Sequence, residues 1–134
     1  MNNELQSKLY TTYPKLFAQK DLSAIDTCMC WGIDCNDGWY FILDSLCNGI
    51  QSYINLNNTR QIEFVQVKQK FGSLRVYTDG HDELIDGMIY FAEYLSFHVC
   101  ETCGSSKNVG HTMGWVEAIC DACALTQNKK VRHE

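Results

Sequence analysis

An α+β fold is predicted by three observations: two stretches of helical apolar periodicity, a strand–turn–strand pattern between them, and a pair of C-x-x-C knuckles near the C-terminal end. The architecture read from them is two main helices packed on a small antiparallel sheet, extended by a C-terminal four-cysteine zinc ribbon. Its parts are an α+β core over residues 1–99, the ribbon over residues 100–127 of the same domain, and a tail over residues 128–134. At 134 residues the chain is long enough for one domain with a real core and too short for two.

Asn2 or Asn3 is placed to cap a short first helix through Leu5, Leu9 and Tyr10. Pro14 opens a further turn carrying Leu16 and Phe17, since proline suits a first helical position. Residues 18–37 are rich in Asp, Asn, Gly and Cys, which reads as an ordered loop. From Trp39 the apolar positions Ile42, Leu43, Leu46, Ile50, Tyr53 and Ile54 keep helical spacing, with Asn36 or Asp37 as the cap and Asn55, Asn57 and Asn58 as the stop. Cys47 lies on that apolar face and reads as a buried thiol. Ile62, Phe64, Val65 and Val67 form one strand arm and Leu74, Val76 and Tyr77 the other, around a Lys70-Phe71-Gly72-Ser73 turn. A second helix follows, with Leu84, Ile85, Met88, Ile89, Phe91, Ala92 and Leu95 making a wide apolar face, weakened by Gly87. It runs almost directly into Cys100.

Cys100-x-x-Cys103, sixteen residues, then Cys120-x-x-Cys123 is the spacing of a structural zinc site. Each knuckle offers two thiolates, the segment between them has the length of a small hairpin, and Gly104 suits the turn after the first knuckle. Four thiolates leave Zn²⁺ no open position, so the expected role is to hold the fold. The other readings are two disulfides, unconnected thiols, or His98 or His111 in place of one ligand. The first residues lack a secretory pattern and no apolar run is long enough to span a bilayer, which predicts a reducing cytoplasm where disulfides are disfavoured. Cys28, Cys30 and Cys35 make a further C-x-C-x4-C cluster, either a second metal site or buried thiols.

A net charge of −5 argues against broad adhesion to phosphate backbones. Its distribution is uneven: residues 60–77 carry Arg60, Lys68, Lys70 and Arg75 against Glu63, whereas residues 79–93 carry Asp79, Asp82, Glu83, Asp86 and Glu93 with no Lys or Arg. The candidate ligand surface joins Lys68, Lys70 and Arg75 to Phe71 and Tyr77, with Trp31 and Trp39 across a groove, so that cations hold a phosphate while a ring stacks on a base. The competing reading puts the tryptophans and Phe71 in the core and the cations in solvent.

Three stretches together carry a resemblance: Cys30-Trp31-Gly32-Ile33-Asp34-Cys35-Asn36-Asp37-Gly38-Trp39, then Val67-Lys68-Gln69-Lys70-Phe71-Gly72-Ser73-Leu74-Arg75-Val76-Tyr77, then the paired C-x-x-C. In that order they resemble a family of small proteins encoded largely in bacteriophage genomes. The resemblance implies a phage accessory protein acting in the bacterial host's cytoplasm. By analogy of context, such a protein binds and neutralises a host component, either sequestering a nucleotide-like signal or blocking a defence protein. A protein partner predicts an exposed apolar or acidic face, for which the helix within residues 79–93 is the candidate. A zinc-ribbon nucleic-acid or transcription-modulating protein ranks lower, because the cations Lys107, Lys129, Lys130 and Arg132 are matched by Glu101, Glu117, Asp121 and Glu134. A cysteine- or carboxylate-based hydrolase ranks lower too: no histidine has a familiar spacing to a cysteine, and Asp34, Asp37, Asp82 and Asp86 suit capping and solvated faces.

Overall fold

The computed structural model describes residues 1–134 and is α+β, with four α-helices and two small, mostly antiparallel sheets. Helix α1 (Asn3–Thr12) begins where Asn2 Oδ1 accepts the Leu5 N–H, as a side-chain cap should. The chain then turns over residues 14–20 without becoming helical, and drops Leu16 and Phe17 wholly into the core. A two-residue strand β1 (Ile33–Asp34) lies inside the cysteine-rich loop. It leads through a 3₁₀ turn (Asp37–Trp39) into helix α2 (Tyr40–Asn57).

Helix α2 has no side-chain cap; Asp37 instead accepts from the backbone and side-chain nitrogens of Asn2, tying the 3₁₀ turn to α1. Its C-terminal stop is Asn58 in the left-handed region, φ 51°. Strands β2 (Phe64–Lys70) and β3 (Ser73–Thr78) form an antiparallel hairpin, with Val67 opposite Val76 and Lys68 opposite Arg75. Both turn residues have positive φ, Phe71 at 53° and Gly72 at 82°, the pattern of a two-residue primed turn matched to strand twist. β1 pairs in parallel with β2, giving the order β1-β2-β3.

Helix α3 (Glu83–Ser96) packs along β3 and α2. Asp82 caps it by accepting from Leu84 and Ile85. It also closes the free edge of β3: Glu93 Oε2 accepts the Val76 N–H at 3.0 Å and Ser96 Oγ accepts the Leu74 N–H at 2.8 Å. The second sheet has the order β5-β4-β6, built from β4 (Val109–Thr112), β5 (Ala118–Cys120) and β6 (Val131–Arg132), with α4 (Asp121–Thr126) after β5. The last seven residues, read from sequence as a tail, thus supply a strand that pairs with β4.

One core holds Trp39, Phe17, Phe64, Leu43, Ile50, Leu74 and Ile85, each at most 1% exposed, and each such side chain contributes about 1.5–3 kcal/mol on burial. A small satellite cluster of Cys100, Ile119, Cys120 and Ala124 lies under the second sheet. No helix is long and apolar enough to cross a membrane.

Candidate metal centre and exposed faces

The four cysteines of the two knuckles come together, with all four Sγ atoms within 4.8 Å of one another. Cys103 Sγ and Cys120 Sγ are 3.8 Å apart. That is about the edge of a tetrahedron with metal–sulfur bonds of ~2.3 Å, and far from the ~2.05 Å of a disulfide. The local backbone prepares the site. In the first knuckle Gly104, φ 82°, returns its N–H to Cys100 O, and the Cys100 N–H reaches Ser105 O. In the second, Cys120 Sγ accepts the Cys123 N–H at 3.5 Å at the start of α4.

The thiols of Cys100, Cys103 and Cys123 do not ionise independently of their neighbours. Burial opposes ionisation of Cys100, but N–H groups of Cys120, Cys103 and Thr102 aimed at its sulfur outweigh it and bring the thiol down to about 7. Burial and hydrogen bonding to its neighbours push Cys123 up to about 12, and the Cys103 thiol is raised as well. One thiolate discourages the next until a dication answers all of them. Four sulfur donors at these separations could hold one tetrahedral ion and would leave it no vacant position.

The centre is fixed to the core through its first knuckle. Trp39 Nε1 donates to Val99 O at 2.9 Å, Gly38 N to Glu101 O at 2.7 Å, and Asn36 N to Glu101 Oε2 at 3.0 Å. Glu101 is 4% exposed, and burial raises its carboxyl pKa despite the Asn36 N–H. The hairpin tip adds Gln69 Nε2 to Val116 O. His111 turns away from the sulfurs, stacks on Phe97 at 3.7 Å and bonds to Phe97 O, which makes it a strut between α3 and β4 and not a ligand. Cys28, Cys30 and Cys35 do not gather: Cys28 is exposed, Cys30 Sγ donates to Thr27 O, and Cys35 is buried with its thiol pushed up to about 12 by desolvation.

The candidate ligand residues are spread over different surfaces. Trp39 is wholly buried in the core and offers no ring to a ligand. Trp31 is exposed on the other flank, near Gln6, Tyr10 and Lys20. Phe71 projects from the hairpin tip with Lys70 over its ring, 5.8 Å from the centroid. Lys68 and Arg75 are cross-strand partners on the outer face, as are Gln66 and Tyr77. Arg75 has a carboxylate beside it, Glu93 at 4.0 Å, whereas Lys68 has Asp34 as its register partner on β1 and forms no ion pair with it. Arg75 and Glu93 help line a shallow cleft of about 230 Å³ with Tyr90, Tyr94 and Phe97.

The sequence pointed to the helix within residues 79–93 as a candidate exposed face, but not to Tyr90, Tyr94 and Phe97 or to a groove against α2. Tyr90 is 72%, Phe91 63% and Tyr94 60% exposed. Between α2 and α3 runs a second groove of about 230 Å³, lined by Phe41, Ile42, Leu46, Met88, Phe91 and Leu95 among others, seven of its eight residues being hydrophobic. The signal was present in the spacing: Leu84, Met88, Phe91 and Leu95 form a stripe beside the core-facing Ile85, Ile89 and Ala92, more apolar surface than one buried face needs. Comparison with protein-family models, curated proteins and solved structures finds no match for the chain.

Proposed function

We propose that this chain is a non-catalytic, zinc-stabilised accessory protein of a bacteriophage that neutralises a host component in the bacterial cytoplasm by occupying a defence protein. The observation that carries the reading is helix α3, which leaves Leu84, Tyr90, Phe91, Tyr94 and Leu95 exposed beside an apolar groove. A contiguous apolar surface of this kind on a helix pair is the mark of a protein-binding face. Zinc is the ion suited to four closely set thiolates with no open position, and it keeps the ribbon folded against the core.

Sequestration of a nucleotide-like signal has less support. Arg75 already has Glu93 beside it, so a phosphate there would meet a carboxylate, and Trp39, the ring proposed to face it, is buried in the core. A hydrolase has less support still, since the buried Cys35 and Cys47 thiols are raised, opposite to an activated nucleophile. One observation favours nucleic acid as the second reading: β6 brings Lys130 and Arg132 toward the ribbon turn, where Trp115 is 79% exposed.

The test is capture of host proteins from bacterial extract by wild type and by Phe91→Asp, with native mass spectrometry of the purified protein. Capture lost in Phe91→Asp, with one zinc bound and no small ligand, is the expected result. A co-purified nucleotide-sized mass, or capture indifferent to Phe91→Asp, overturns the reading.

A further inference from the structure

Helix α3 contains a glycine that nothing in the fold requires. Gly87 is in the helix interior and exposed, its φ is not left-handed, and a methyl group added there meets no atom within 4 Å. Glycine lowers helix stability at such a position relative to alanine, and what it offers in return is close approach by another backbone. Its surroundings suit such an approach. One turn before it lies Leu84, 53% exposed, and one turn after it Phe91, 63% exposed, with Met88 in the wall of the α2–α3 groove.

The charges beside Gly87 have one sign. Glu83 has no ion-pair partner, and Asp86 has only the exposed His81 ring, 3.5 Å away. Neither α2 nor α3 contains a lysine or arginine. A second copy of this chain crossing at Gly87 would set the Glu83 and Asp86 carboxylates of both copies into one interface with no Lys or Arg from either helix to answer them. An anionic lipid surface would meet the same repulsion.

Resting on the protein-binding reading above, we infer that α3 around Gly87 seats an amphipathic helix of a partner protein. The apolar face of that helix enters the groove between α2 and α3, its backbone passes close over Gly87, and its flanking Lys or Arg side chains answer Glu83 and Asp86. The mode is helix-in-groove recognition, with the acidic carboxylates selecting a basic partner.

Two variants and two synthetic probes test this. Gly87→Gln adds bulk where the partner backbone runs while favouring the helix, so its Tm should be unchanged or raised. Phe91→Asp removes an apolar contact at an exposed position. The probes are a lysine-rich amphipathic peptide with a leucine face and a glutamate-rich peptide with the same leucine face, titrated by fluorescence anisotropy, with sedimentation to follow self-association. The expected result is that the lysine peptide binds wild type, and that Gly87→Gln, Phe91→Asp or use of the glutamate peptide each weakens binding by about tenfold or more. The inference is overturned if the lysine peptide fails to bind, binds Gly87→Gln as tightly as wild type, or is matched by the glutamate peptide. It is also overturned by a wild-type dimer that Phe91→Asp dissolves. Host-protein capture lost in Phe91→Asp but kept in Gly87→Gln would leave the binding face standing and remove the helix seat alone.

Discussion

Replacing Gly38 by alanine should uncouple the metal centre from the core. The new methyl group would fall within 2.5 Å of three backbone atoms: the carbonyl oxygens of Cys100 and Glu101 and the carbonyl carbon of Glu101. Backbone carbonyls cannot rotate aside as a side chain can, so the 3₁₀ turn and the first knuckle must part by roughly 1 Å to restore normal contact. That movement stretches the 2.7 Å bond from Gly38 N to Glu101 O and disturbs the neighbouring bond from Asn36 N to the Glu101 carboxylate. Overpacking costs about 1–3 kcal/mol and a buried hydrogen bond left unmade about 1–3 kcal/mol, so a loss on the order of 3 kcal/mol is expected. For a chain of this length that is a fall in Tm of about 10 °C. Gly87→Ala is the internal control, because there the same methyl group meets nothing within 4 Å. It should stabilise the isolated protein by up to about 1 kcal/mol through helix propensity. Differential scanning calorimetry of the zinc-loaded proteins, with a chromogenic chelator following metal release, reads both effects. A Gly38→Ala protein that melts within about 2 °C of wild type and holds its metal equally well would refute the coupling.

Two other outcomes follow from the thiols. Cys103→Ser leaves three sulfurs and should release the metal and loosen the two ribbon strands β4 and β5, while α2 and the β2–β3 hairpin persist; amide hydrogen exchange localises the change, and unchanged zinc content after dialysis would count against a four-sulfur site. In the native metal-loaded protein a thiol reagent should modify exposed Cys28 readily, and Cys35 and Cys47 only on unfolding. Burial pushes Cys35 up to about 12 and Cys47 higher still, from an ordinary 9.0. Above pH 9 the unfolded chain therefore loses thiol protons that the folded chain keeps. The thiol contribution to stability is full below about pH 9 and declines as pH rises toward the folded values; a Cys47→Ala protein should show a shallower alkaline decline in denaturant titrations.

Local signals carried far into this structure, and they failed where a contact comes from a distant part of the chain. The long helix from Tyr40, its Asn58 stop, the Phe71-Gly72 turn and the buried Cys47 each follow from spacing or turn chemistry within a few residues. Parallel pairing of Ile33 with Val67 left no trace, because a two-residue strand has no period to read. Asn36 or Asp37 was expected to cap α2, but neither side chain does, and Asp37 instead accepts from Asn2, a competition that spacing alone does not reveal. Trp39 shows the same limit at the candidate site: an aromatic at a helix entry can serve a ligand or the core, and its bond to Val99 O decides for the core. The paired knuckles were legible because four thiols with two short separations have few other uses. The helix within residues 79–93 could be named as a candidate face, but not which of its apolar residues stay uncovered, since periodicity measures apolar content and does not say how much of it the chain covers.

The capping of β3 by Glu93 and Ser96 has a consequence for how this surface can diversify. With the strand's free N–H groups at residues 74 and 76 already spent on α3, a visitor cannot extend this edge by main-chain pairing, and recognition on that flank falls to helix side chains. Positions 84, 87, 91, 94 and 95 are all exposed, so each can change identity without opening the core. The scaffold therefore separates what must be kept from what can drift, and a lineage meeting altered partners could retune this face one substitution at a time while the metal centre and the hairpin stay as they are.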